Sequence, residues 1–178
     1  LGSDFNTNLT EVSVYKRFWL GSWGHVDTRL QAGAQWNKVP FPFLITPPVN
    51  TSYFEHLETF NLMESLEFLN DRYAQFNLAW DLEGKLFNRL PLIKKLKWRE
   101  YFAFKGMWGH LTDQNNPYLP KNINDPELYK FPEGTNIMTR DPYLELVVGV
   151  HNIFKCLEDD YVRRLPYTHI PCISKNGI

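Results

Sequence analysis

Hydrophobic and polar residues alternate along much of the chain, most clearly over residues 25–37 (HVDTRLQAGAQWN). One parity is apolar apart from a threonine and the other is polar or glycine: Val26, Thr28, Leu30, Ala32, Ala34 and Trp36 against His25, Asp27, Arg29, Gln31, Gly33, Gln35 and Asn37. A strand points successive side chains to opposite faces, whereas a helical period of about 3.6 residues would mix the two sets. The pattern therefore predicts a β-strand with one apolar and one polar face.

The same alternation recurs and predicts an all-β, antiparallel structure of about six strands. These strands cover 9–20, 25–37, 72–83, 100–109, 143–151 and 160–170. The last is expected to be irregular, because Pro166 cannot donate to a strand ladder. Strands of soluble domains are usually about 5–6 residues long, whereas a tilted strand that crosses a bilayer needs about 9–11. The lengths favour a segment of a transmembrane β-barrel.

Each predicted strand has one face suited to lipid and one suited to a hydrated interior. The predicted lipid-facing residues are Leu30, Trp36, Phe76, Leu78, Trp80, Phe102, Phe104, Trp108, Leu146 and Val148. The predicted lumen-facing residues are Arg29, Gln31, Gln75, Asn77, Asp81, Lys105 and Glu145. A soluble sheet with one wet face is the alternative, since it shows the same alternation.

The connections between the predicted strands alternate in length. Membrane barrels have short periplasmic turns and longer extracellular loops. Residues 21–24, 84–98 and 152–159 are therefore assigned to the periplasmic side, and 38–70 and 110–142 are predicted to be two long extracellular loops. The six tryptophans fall mostly near strand ends or on the apolar parity, which is typical of aromatic girdles.

The segment 85–99 (KLFNRLPLIKKLKWR) combines six basic residues with apolar ones. Basic amphipathic segments prefer a membrane interface, so Arg89, Lys94, Lys95 and Lys97 are predicted to be interfacial. The functional interpretation of this segment is contact with lipid headgroups or with a partner surface. A solvated turn between strands is the simpler alternative.

Chemistry-bearing motifs are sparse. Residues 54–69 place apolar side chains near helical spacing, which favours a short helix, and Glu64, Glu67 and Asp71 would then share one face. A solvated acidic face explains these three better than a metal or hydrolase site. The sequence has no H-E-x-x-H, C-x-x-C, G-x-S-x-G or phosphate-binding loop. We predict no enzyme activity, no catalytic or metal-binding residues and no cofactor.

Composition and charge exclude some classes of function. The 178 residues are 43% hydrophobic and 16% aromatic, which excludes global disorder, and the net charge of -1 argues against a nucleic-acid partner. Two cysteines, Cys156 and Cys172, make no disulfide framework. They flank the last predicted strand, so we predict no bond between them. The whole chain, 1–178, is expected to be part of one barrel domain that continues beyond both ends.

Several phrases of the sequence resemble a known family. They are Val39–Leu44 (VPFPFL), Phe60–Met63 with Glu67-Phe68, Asn88–Leu96 leading to Arg99-Glu100, and Asp141–Tyr143 through Gly149-Val150 to Asn152–Lys155. They resemble the C-terminal part of Gram-negative outer-membrane proteins of unassigned function that carry an N-terminal carboxypeptidase-regulatory-like domain. That barrel is similar to the surface-antigen superfamily, which includes the assembly factors BamA and TamA. The resemblance implies the last strands of a barrel of about sixteen, located in the outer membrane. It also implies that the partners are membrane lipids or lipopolysaccharide, together with other outer-membrane proteins.

Two functional hypotheses from different classes follow. The leading one is a non-enzymatic outer-membrane barrel component, structural or assembly-related, that acts within a membrane-protein complex. The alternative is a soluble all-β module whose polar sheet face binds glycans. A hydrolase that uses Glu64, Glu67 or Asp71 is the third and weakest hypothesis.

Overall fold

One antiparallel sheet, in chain order, forms the computed structural model, which describes residues 6–52, 54, 56–155, 157–167 and 176–177. Its strands are β1 (Leu9–Trp19), β2 (His25–Gln35), β3 (Arg72–Asp81), β4 (Arg99–His110), β5 (Tyr143–Ile153), β6 (Leu157–Arg164) and β7 (Asn176–Gly177). Each strand pairs only with its neighbours in the chain, and within the described residues the sheet is open rather than closed. The predicted all-β antiparallel class is confirmed.

All six predicted strands are present, and their bounds differ most at the last one. β6 runs from Leu157 to Arg164, instead of 160–170, so that Pro166 lies beyond the ladder in which it cannot donate. The β5–β6 turn is correspondingly shorter than the predicted 152–159. Cys156 and Cys172 lie outside the described residues, and so does the prediction about their pairing.

The connections alternate in length as predicted. The turns after β1, β3 and β5 lie at one end of the strands, and we call this end of the sheet the short-turn edge. The first long loop (36–71) and the second long loop (111–142) leave from the opposite edge. Short 3-10 helices at Gly21–Trp23, Phe41–Phe43, Phe87–Arg89 and Ile93–Leu96 lie in these connections. Among the described residues, no helix is long and apolar enough to cross a membrane.

Burial across the central strands is the reverse of that in a soluble sheet. On β3 the polar-parity residues Tyr73, Gln75, Asn77 and Ala79 are buried, whereas Ala74 and Leu78 on the other parity are exposed. The side chains of β4 and β5 follow the same rule, except that Glu100 is buried on the apolar parity at the start of β4, where it accepts the backbone N–H of Phe87. We call these surfaces the polar face and the apolar face. The register keeps them consistent: Leu78 pairs with Thr28 and Phe104, and Asn77 pairs with Arg29 and Lys105.

The core lies between the polar face and the two long loops. Residues of the first long loop pack with aromatic and methionine side chains of β3–β5, of the second long loop and of the segment after β6: Phe60, Met63, Phe68, Tyr73, Met107, Met138, Tyr143 and Tyr167. A second cluster joins the two loops through Val39, Leu44, Leu69, Leu111 and Phe131. Apolar residues of the loops are thus buried against the polar side of the sheet, near the long-loop edge.

Candidate functional site

The first long loop crosses the polar face, and two oppositely charged side chains hold it there. Lys105 Nζ donates to the backbone carbonyls of His56 and Thr59, at 2.6 and 2.7 Å. Glu145 accepts the backbone N–H groups of Asn61 and Leu62, at 2.9 and 2.8 Å. Lys105 and Glu145 are direct cross-strand partners on β4 and β5, and both are fully buried. The cation therefore meets carbonyls and the anion meets amides of one segment, 56–62.

Two neutral side chains of β3 extend this attachment. Asn77 Nδ2 donates to the carbonyl of Leu57 at 2.6 Å, and Gln75 Nε2 donates to that of Glu58 at 3.1 Å. Leu57 and Leu62 pack against a small apolar cluster on the same face that includes Ala79 and Val147. Because buried backbone groups must find partners, polar side chains of the sheet let an irregular segment lie against it.

A buried ion pair fixes the end of the same loop. Arg164 on β6 forms a bidentate pair with Glu67, at 2.5 Å (Nη2–Oε1) and 3.2 Å (Nη1–Oε2). The guanidinium carbon lies 4.6 Å from the centroid of the Tyr143 ring. The two side chains are 0% and 2% exposed. The two hydrogen bonds of a bidentate pair replace much of the hydrogen bonding to water that both side chains lose on burial.

The expected short helix over 54–69 is wrong. The described residues of that range form turns and isolated bridges, since their backbone groups bond to the sheet and to the second long loop. The three acidic residues do not share a face: Glu64 is exposed, Glu67 pairs with Arg164, and Asp71 is buried. Asp71 Oδ2 accepts Thr112 N at 3.0 Å, the Thr112 hydroxyl and Asn115 Nδ2 at 2.9 Å, so it connects the two long loops.

All seven residues predicted to face the lumen lie on the polar face. Gln75, Asn77, Lys105 and Glu145 are buried beneath the loop, whereas Arg29, Gln31 and Asp81 are only partly buried. The predicted extracellular loop 38–70 therefore folds back over the sheet, and protein, not water, covers the central polar residues. The backbone hydrogen bonds described above are the physical reason.

The polar face is more open beside β1 and β2. A cavity of about 210 Å³ lies between the first long loop and these strands, with Glu11, Arg29 and Tyr73 in its lining. Tyr73 crosses Gly33 to donate to Glu11 at 2.8 Å, and a Cβ on Gly33 would lie 2.5 Å from the Tyr73 ring. Arg29 pairs with Glu58 of the loop. A wider space of about 620 Å³ continues past Tyr15 and Asp27.

None of the ten residues predicted to face lipid is buried. Leu30, Trp36, Leu78, Trp108, Leu146 and Val148 are exposed, and Phe76, Trp80, Phe102 and Phe104 are half-buried. The half-buried rings cover one another on the same face: Phe76 lies 5.4 Å from Phe104 and 5.5 Å from Trp108. Lys16, Thr28 and Arg163 also lie on this face, level with Leu78 in the register.

A histidine and two carboxylates meet beside the β5–β6 turn, a grouping absent from the sequence analysis. Atoms of His151, Glu158 and Asp160 lie within 4.8 Å of one another. His151 Nε2 lies 3.0 Å from Asp160 Oδ1, and its ring stacks on Tyr101 at 4.2 Å. The ion pair between His151 and Asp160 is sufficient to explain this geometry. The absence of a metal site stays a prediction.

The residues that sequence reasoning missed act over long distances in the chain. Arg164 lies 97 residues from Glu67, and Asn115 lies 44 residues from Asp71. The one signal that could have found this pair is the position of Arg164 in the predicted strand 160–170. It lies on the polar parity of β6, where a buried charge needs a partner. The pattern of Asp71 and Asn115 gave no such signal.

Comparison with known proteins gives one result. Residues 1–120 match the model of the C-terminal domain of a family of unknown function, DUF5686. No curated protein and no solved structure matches the chain.

Proposed function

This chain belongs to the DUF5686 family of unknown function, as its C-terminal domain, and we propose that it supplies membrane-spanning strands of an outer-membrane β-barrel in a Gram-negative bacterium. It acts as a non-enzymatic, structural or assembly-related component of a membrane-protein complex. One observation carries the proposal: the sheet buries its polar face under a loop and leaves large apolar side chains exposed along the middle of its other face.

A protein in water gains stability by the opposite arrangement. Monomeric soluble proteins rarely expose a contiguous apolar patch larger than a few hundred Å². Here the exposed apolar face runs across five neighbouring strands, through Val14, Leu30, Phe76, Phe104 and Leu146. Hydrocarbon is the solvent in which an outward apolar face and an inward polar face are both favourable.

The strand lengths agree with a bilayer. The first five strands contain 10 to 12 residues each. At about 3.3 Å per residue and a tilt of about 40°, such strands span roughly 25–30 Å, close to the apolar band of a membrane barrel, about 25 Å tall. Six long strands cannot close a barrel whose minimum is about eight, so the proposal includes strands from outside the described residues.

The finer features of the proposal rest on the resemblance to BamA- and TamA-type barrels. They are a barrel of about sixteen strands, contact with lipid or lipopolysaccharide, and association with other outer-membrane proteins. The first long loop further favours a barrel whose interior is occupied by protein over an open diffusion pore. The alternative, a glycan-binding module, gains less support because the polar face that would bind the glycan lies beneath residues 56–62.

Site-directed fluorescence tests the proposal. With Cys156 and Cys172 replaced by Ser, a fluorophore is attached to a single cysteine at Leu78 in the intact protein, reconstituted in phospholipid vesicles. A second variant carries it at Ile123, an exposed apolar residue of the second long loop. We expect acyl-brominated lipids to quench the Leu78 label and aqueous iodide to quench the Ile123 label. Iodide quenching of both labels, without lipid quenching of either, would refute the proposal.

A further inference from the structure

The strongest unassigned feature is the segment 85–99, which lies in the connection from β3 to β4 at the short-turn edge and ends at the first residue of β4; we call it the basic loop. It carries six of the 19 basic residues of the chain and no acidic residue: Lys85, Arg89, Lys94, Lys95, Lys97 and Arg99. Within the described part of the chain, none of these six takes part in an ion pair, whereas Arg17, Arg29, Lys38 and Arg164 all do. The loop therefore concentrates positive charge in a protein of net charge -1.

The same loop exposes apolar side chains. Leu92 is 84% exposed, the largest value among the exposed apolar residues that the structure describes, and Leu86, Leu90 and Leu96 are exposed as well. The 3-10 helix Ile93–Leu96 follows Leu92 directly, and residues 92–97 (LIKKLK) bring three apolar and three basic side chains close together. Leucine side chains that stay in water gain no hydrophobic stabilisation, and the binding of a soluble polyanion would leave these leucines exposed to water.

Other residues extend this surface along the short-turn edge. Lys85 Nζ lies 5.4 Å from the centroid of the Trp23 ring, and the backbone carbonyl of Trp23 accepts a hydrogen bond from Trp80 Nε1 at 2.9 Å. Phe154, in the neighbouring turn, is strongly exposed. Indole rings at this level, next to cations, are typical of a membrane–water interface.

We propose that the basic loop docks on anionic phospholipid headgroups of the leaflet at the short-turn edge. Leu90 and Leu92 enter the boundary between headgroups and acyl chains, while Lys94, Lys95 and Lys97 contact the phosphates. Charge complementarity and the exposed leucines together favour a bilayer surface over a soluble anion. This inference rests on the proposed function, because it requires the strands to place the loop at the membrane surface.

The test uses a fluorophore at Leu92 in the intact protein and the same cysteine-free background. Vesicles contain phosphatidylcholine with a minor fraction of phosphatidylglycerol, and one or the other lipid is brominated. We expect brominated phosphatidylglycerol to quench more strongly, molecule for molecule. Each neutralised lysine should lower this local enrichment by about five-fold at low salt, so Lys94→Gln/Lys95→Gln/Lys97→Gln should remove the preference.

A matched variant controls for total charge. Lys121→Gln/Lys130→Gln/Arg140→Gln removes three exposed cations from the second long loop and should leave quenching at Leu92 unchanged. Equal quenching by the two lipids, or relief of quenching by soluble polyphosphate, would overturn the inference. If the Leu78 label lies in lipid while the Leu92 label lies in water, the inference fails and the proposed barrel stands. If both labels lie in water, both proposals fail.

Discussion

Replacing Leu78 by arginine separates a lipid-facing sheet from a water-facing one. Leu78 lies near the middle of β3, between Phe76 and Trp80 on the apolar face, and is 37% exposed. In water, an exposed substitution of this kind changes the free energy of unfolding by no more than about 0.5 kcal/mol. In a barrel, an arginine near the bilayer midplane costs about 2–4 kcal/mol, a factor of about 30 to 900 in the folding equilibrium.

The assay is reversible folding of the intact protein into phosphatidylcholine vesicles, followed by tryptophan fluorescence against guanidinium chloride. Ile123→Arg, in the second long loop, is the matched control and should cost at most about 0.5 kcal/mol. Ala34→Arg tests depth, because Ala34 lies on the same face near the long-loop end of β2, where the penalty falls to about 0–1 kcal/mol. The expected order of destabilisation is Leu78 first, then Ala34, then Ile123.

The result that would refute this reasoning is equal stability of the three variants in vesicles. A wild-type protein that stays folded and monomeric in detergent-free buffer would refute it as well. In either case the apolar face would contact water or a soluble partner, and the outward leucines and rings would need another explanation.

Three further predictions concern the loops. Arg164→Met should destabilise the protein by about 3–5 kcal/mol, because it leaves Glu67 buried and unpaired, and replacing both residues by apolar ones should recover most of that loss in the same assay. Glu145→Gln should lower the free energy of unfolding by about 1.5–3 kcal/mol, because the charged acceptor of two backbone N–H groups is lost. Residues 56–62 should then become accessible to protease, and unchanged protection from protease would contradict this role of Glu145. The Lys38 ammonium, which is bonded to Asp125, holds the pKa of that carboxyl below its ordinary value. The ion pair between the two long loops therefore persists above about pH 4 and weakens as the pH falls through the lowered pKa. Lys38→Met should raise the pKa of Asp125 in an NMR titration.

Local and long-range features differed in how well the sequence predicted them. The strands were predictable because a period of two is written in consecutive residues, and the two sets of residues that the alternation separates lie on opposite faces of the sheet. That one face contacts lipid and the other a lumen stays a prediction. The path of the first long loop was not, since it depends on contacts such as Arg164 with Glu67, 97 residues apart. The helical spacing of Glu64, Glu67 and Asp71 was misleading because tertiary bonds, not local propensity, determine their positions.

The inward polar face and the inserted loop depend on each other physically. A row of buried Asn, Gln, Lys and Glu side chains would be costly against an apolar layer, and an irregular loop would be costly against an apolar sheet. Placed together, the side chains of β3–β5 bond to the backbone of residues 56–62, and each satisfies the other. The large apolar side chains that remain on the strands are then left to the opposite face, where residues such as Leu30, Leu78 and Val148 stay exposed. The same set of contacts therefore explains why the loop lies on the polar face and why the large apolar side chains of the strands lie on the opposite one.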